Sequence, residues 1–176
     1  MKTDNVLDFK SAFSECMSLE TIKMPKNKIK IKFMEFLFYE CYKLTSIDLS
    51  NFDVESVESM FDMFYDCRSL KSIDLSTFNT PNLVSMISMF QGCHSLTSID
   101  LSNFNTSKML YYDEMFYGCN NLAFIDISSF KVPSNPLEIY NLFDSNISIN
   151  GEIIINKDFY NKINDIYLDK WNKSLT

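Results

Sequence analysis

The sequence predicts an α/β solenoid of about five coils, each close to 26 residues long, and three regularities carry that prediction. The five cysteines fall at Cys16, Cys41, Cys67, Cys93 and Cys119, spaced by 25, 26, 26 and 26 residues. A Phe stands three residues before each Cys (Phe13, Phe38, Phe64, Phe90, Phe116), and an Ile stands six after it (Ile22, Ile47, Ile73, Ile99, Ile125). From the second coil on, Asp48, Asp74, Asp100 and Asp126 form another column, followed by Ser50, Ser76, Ser102 and Ser128 and then by Phe52, Phe78, Phe104 and Phe130. Self-similarity at one fixed period marks units that stack and share a core.

Each unit divides into two halves. In Ser46-Ile47-Asp48-Leu49-Ser50 the apolar residues alternate with polar ones, the period of a strand with one face buried, so strands are expected near Ile47, Ile73, Ile99 and Ile125. In the second half Val57, Met60, Phe64 and Cys67, and again Leu83, Met86, Phe90 and Cys93, are spaced by three and four, which fits one face of a short helix. Thr80 and Pro81 then read as a helix cap and first helical residue. Neither half buries its apolar face alone, so coils must stack, with every column Phe and Cys inside and strands about 4.8 Å apart.

The unit Cys-x-Ser-Leu-x-Ser-Ile-Asp-Leu-Ser-x-Phe-Asn-Thr, with Met86, Met89 and Phe90 in a Met-x-x-Met-Phe-x-x-Cys segment, resembles the repeat of BspA-like leucine-rich-repeat surface proteins. The resemblance spans Val6 to Phe143. It implies a leucine-rich-repeat-like right-handed solenoid, display at a cell surface or secretion, and a role in adhesion, with no catalytic residues.

The solenoid is expected over residues 1–149, with a degenerate first coil in which Lys23-Met24-Pro25 replaces Asp-Leu-Ser. Residues 150–176 read as a strand-helix cap: Gly151 to Ile155 as a strand, and Asp158 to Trp171 as a helix packing Phe159, Ile163, Ile166, Tyr167 and Trp171. The start, Met1-Lys2-Thr3-Asp4, has no apolar core of a signal peptide, which leaves a cytoplasmic location open beside the surface one. No stretch approaches the ~20 apolar residues that span a bilayer.

A net charge of −7 disfavours nucleic acid as a partner, because phosphate binding needs a basic surface. One Cys per coil has neither the paired spacing nor the count of a zinc site and reads as a column of buried thiols, so neither metal nor cofactor is expected. His94 is the lone histidine and falls at a variable turn position, so acid–base and nucleophilic catalysis lack their parts and the chain does not read as an enzyme. Lys23, Lys26, Lys28, Lys30 and Lys32, interleaved with Ile29 and Ile31, read as the solvated face of the first coil.

The Asp column faces solvent on adjacent strands, where like charges repel, so something must offset that repulsion. Either solvation and hydrogen bonds to the neighbouring Ser and backbone do so, or the column binds a ligand. The ligand face would comprise Ser46, Asp48, Ser72, Asp74, Ser98, Asp100 and Asp126. The leading expectation is a non-catalytic recognition or adhesion module for a protein or glycan ligand. The alternative is an intracellular scaffold or adaptor.

Overall fold

The alternation in the first half of each unit does produce a strand face. The structure, a computed structural model, describes residues 6–133, 139, 141–143 and 152–167 and is a parallel-strand solenoid of about five turns with little helix. On the strand face β2 (Thr21–Ile22) pairs in parallel with β4 (Ser46–Ile47), aligning Ile22 with Ile47. Further along, β6 (Ser98–Asp100), β7 (Phe124–Ile127) and β8 (Glu152–Ile155) form a parallel sheet that sets Ile99 beside Ile125 and Ile125 beside Ile153. The rung around Ile73 departs from expectation. It forms no strand, Ile73 is only half-buried, and this coil is a seam between the two sheets.

A second face carries β1 (Val6–Asp8), β3 (Ile29–Phe33) and β5 (Phe52–Asp53), again parallel and in that order. Here the Lys-Ile interleave becomes β3, with Ile29 and Ile31 buried and Lys30 and Lys32 exposed. Lys28 reaches Asp53 at 3.4 Å.

The expected helices at Val57–Cys67 and Leu83–Cys93 do not form. The third face is a ladder of tight turns in which residues four apart adopt left-handed backbone: Phe36 and Glu40, Asp62 and Asp66, Ser88 and Gly92, Glu114 and Gly118. A left-handed residue every fourth position cannot be accommodated in a right-handed helix. The backbone amides are satisfied in two ways. The N–H groups of Met60, Asp62, Phe64 and Asp66 donate to Ser85, Ile87, Met89 and Gln91 of the next coil at 2.7–3.1 Å, while those of Met63, Tyr65 and Cys67 donate three residues back. The turn ladder and the helix share a three-to-four spacing of inward residues, which is why the pattern alone could not separate them. Thr80 caps no helix either. Buried, its Oγ1 accepts the Asn105 N–H of the next coil at 2.9 Å, as the buried Thr106 accepts that of Lys131 at 3.0 Å.

Coil-to-coil hydrogen bonds on both the strand and the turn sides hold both at strand spacing, about 4.8 Å, whereas stacked helices need 8–10 Å. That common pitch lets one aromatic column run through the core. Phe13, Phe38, Phe64, Phe90, Phe116 and Phe143 stack at centroid distances of 5.4, 5.6, 5.5, 6.0 and 5.4 Å, with interplanar angles of 17° or less. Parallel rings so far apart are offset, the geometry their quadrupoles prefer.

Beside the rings, the Cys41, Cys67, Cys93 and Cys119 thiols donate to the carbonyls of Phe13, Phe38, Phe64 and Phe90 at 3.0–3.2 Å. These cysteines are free and buried, and burial pushes the Cys41 thiol up to about 11 and those of Cys67 and Cys93 well above the ordinary value. The end of the column corrects the expectation of uniform burial: Cys16 is exposed and Phe13 half-buried, because coil one has no described neighbour on its outer side.

At the far end β8 continues the strand face, and α1 (Lys157–Tyr167) follows it. Asn156 caps α1 through Oδ1, which accepts the Phe159 N–H at 2.9 Å, while its Nδ2 donates to the carbonyls of Ser128 and Phe130 in the coil before. Phe159 is buried edge-on against Tyr112 at 5.3 Å and Phe130 at 5.6 Å, so the helix closes the apolar end. Ile163 is buried as expected, and Trp171 lies outside the described residues.

Candidate ligand-binding face

Every Asp of the column is held by its own turn. The Ser50, Ser76, Ser102 and Ser128 amides each donate to Oδ1 of Asp48, Asp74, Asp100 and Asp126, at 2.9 Å in all four coils. Asp and Ser two residues apart form this turn readily because the short carboxylate reaches the amide without distorting the chain. The Ser50 hydroxyl and amide hold the Asp48 carboxyl below its ordinary range, and Ser76 does the same for Asp74. The neighbouring Asp74 raises Asp48, but it is the weakest of the influences on that group. At Asp48 hydrogen bonding therefore outweighs the like charge of its neighbour, and in all four coils the turn fixes where the carboxylate sits.

The structure divides the predicted face. Asp74 and Asp100 line one shallow cavity of about 130 Å³ together with Ile73, Leu75, Ser76, Ser102 and Asn103. It lies at the seam where the Ile73 rung forms no strand. Asp48 does not line it but is close enough to Asp74 to feel its charge. Ser46 and Ser72 are exposed on the same face and Ser98 is half-buried, but none of them lines the cavity. Asp126 is half-buried beside Asp100 in the register, and Phe124 stands beside Ser98, so the polar array gives way to an apolar edge in the fifth coil.

Asn103 was not among the predicted residues. Its amide nitrogen donates to the carbonyls of Leu75, Ser76 and Phe78 at 3.0–3.1 Å and forms one wall of the cavity. The sequence signal was present in the Ser-Asn-Phe repeats at Ser50 to Phe52 and Ser102 to Phe104. His94 is exposed, and its Nδ1 meets the Gly118 carbonyl at 2.8 Å, away from this cavity. Among the described residues no group of three or more His, Cys, Asp or Glu converges as a metal site, and no helix is long and apolar enough to cross a membrane.

A protein-family model described as "Mycoplasma protein of unknown function, DUF285" matches residues 1–73 and again residues 32–157. No curated protein and no solved structure is similar to the chain.

Proposed function

From the premise that the chain belongs to that Mycoplasma family, whose description carries no activity, we propose that it is a non-catalytic recognition module that binds a protein or glycan on its strand face. The observation that supports this reading most is the seam cavity, where two carboxylates project from neighbouring coils in positions already fixed by Ser76 and Ser102. Groups ordered before binding lose little entropy on binding. Carboxylates set on adjacent coils and lining one cavity suit ligands that offer paired donors, such as sugar hydroxyls or protein amide and ammonium groups. Asp74 is held below the ordinary carboxylate range, so it is a weak base at neutral pH and suits recognition better than proton transfer.

The resemblance to BspA-like repeats supports display at a cell surface and a part in adhesion, and it supports placing the solenoid in the right-handed leucine-rich-repeat class. Surface biotinylation of intact cells expressing the native gene tests the location: labelling of the chain supports it, and protection until lysis opposes it.

Binding is tested by probing arrayed glycans and arrayed proteins with the folded chain and with an Asp74→Asn, Asp100→Asn double variant. Asn keeps the Oδ1 acceptor, so the turns persist while both charges are removed. The proposal expects at least one retained ligand whose binding falls about ten-fold, the loss of roughly 1.4 kcal/mol of charge-assisted contact. Binding unchanged in the double variant, with the fold retained by circular dichroism, removes this cavity from the site.

A further inference from the structure

The turn face carries a second set of paired groups. Arg68 shows what this face does with a cation: its guanidinium lies 4.3 Å from the centre of the Tyr42 ring and reaches Asp66 Oδ2 at 2.7 Å. Ring and carboxylate together hold one positive charge. Nearby the same elements recur. Tyr39 and Tyr65 stack at 4.9 Å and 16° on successive coils, half-buried, and each lies within the electrostatic reach of Asp62 and Glu40, with Glu114 also acting on Tyr65.

Asp62 is the distinctive member of this group. It is only 8% exposed, its carboxylate accepts no hydrogen bond among the described residues, and the charge acting on it is that of Glu114, a like charge. Among the described residues neither Asp62 nor Glu114 forms an ion pair. Both occupy the left-handed position of their coils, as Ser88 does between them, so the backbone sets the row. The side chain is largely covered while its oxygens still reach solvent, so the charge is partly desolvated, and a cation docking from outside would offset that cost. Burial and Glu114 push the Asp62 carboxyl up to about 6, the direction expected of a group that lacks its counter-ion.

We propose that the Tyr39–Tyr65 stack and the Asp62–Glu114 row form a docking site for a basic segment of a protein partner, with a lysine or arginine seated over the tyrosine rings and ending at Asp62. The occupant is fixed by charge complementarity and by the Arg68 arrangement beside it. This site lies on a different face from the seam cavity and does not depend on it.

The test measures anisotropy of a fluorescent octapeptide of alternating Lys and Gly against the whole chain at about 50 mM salt, where screening is modest. An Asp62→Asn, Glu114→Gln variant and the Asp74→Asn, Asp100→Asn variant each remove two negative charges, so general attraction to an acidic protein falls equally in both. The site predicts about ten-fold weaker binding for the first pair and less than two-fold for the second, as expected for losing both carboxylates that would hold the cation, one of them partly buried. Tyr65→Leu, with an intact melt, should weaken the peptide about three-fold by removing a ring face. Equal losses in the two double variants, no peptide binding by the unaltered chain, or capture by phosphatidylcholine vesicles in place of the peptide would each overturn the proposal.

Discussion

Replacing Phe90 with Ala tests the continuity of the aromatic column. Phe90 is fully buried, and its ring stacks on Phe64 at 5.5 Å and 3° and on Phe116 at 6.0 Å and 1°. Its removal opens a cavity between two rings that the coils hold apart, because hydrogen bonds on both sides of the solenoid prevent collapse. Fully buried Phe→Ala changes of this kind cost about 3–5 kcal/mol, of which each aromatic pair supplies about 0.5–1.5. Phe13 is the internal control: it is half-buried at the end of the column and, among the described residues, stacks on Phe38 alone, at 5.4 Å. Its replacement should cost about 1–2 kcal/mol, since one pair and roughly half the burial are lost. Urea unfolding followed by far-ultraviolet circular dichroism measures both, with the slope checked for constancy. A loss below about 1 kcal/mol for Phe90→Ala, or equal losses at the two positions, would refute a continuous stack with nearest-neighbour coupling.

Alkylation of the native chain with iodoacetamide should label Cys16, which is exposed, and spare Cys41, Cys67, Cys93 and Cys119 until denaturant is added, a pattern read by peptide mass spectrometry. Gly118→Ala should cost about 1 kcal/mol in the same urea assay, because φ is +77° and a Cβ meets only ordinary contacts, the nearest at 3.5 Å. Gly92→Ala should cost more, since its Cβ would lie 2.1 Å from Asp66 Oδ1 and must displace that carboxylate from Arg68. Asp62→Asn should change the pH dependence of stability. The folded carboxyl titrates near 6, above its usual 3.8, so its favourable contribution is complete below pH 3.8 and is lost as pH rises through 6. The variant should therefore be more stable than the parent at pH 7, by about 1–2 kcal/mol because solvent reaches part of the carboxyl, and nearly equal to it at pH 4. Parallel pH profiles for parent and variant would show that Asp62 is not the group responsible.

The Asp column shows how far sequence pattern reaches. Its regular spacing placed four carboxylates on one face, and the serines two residues later supplied the turn that holds each of them. Like-charge repulsion alone predicts that Asp→Asn leaves the fold unchanged or slightly stabilises it. In the structure the carboxylates of Asp48 and Asp74 are held low by hydrogen bonds that outweigh their neighbours' charge. Losing the charge at Asp74 should thus cost a little stability at neutral pH and nothing once acid protonates the parent residue as well.

The cavity at Ile73 was not legible, because Ser72-Ile73-Asp74-Leu75 matches Ser98-Ile99-Asp100-Leu101 letter for letter in the next coil. Whether a rung joins a sheet depends on how two coils seat against each other, which no single unit encodes.

The sequence by itself determined the period, the number of coils, the identity of the buried columns and the strand face, since each follows from which side chains must leave water. Only the tertiary structure decided the other half of each unit. Met60, Phe64 and Cys67 would point inward from either a helix or a run of tight turns. The choice is made by the amides of Met60, Asp62, Phe64 and Asp66, which donate to the next coil and can do so only once that coil is in place.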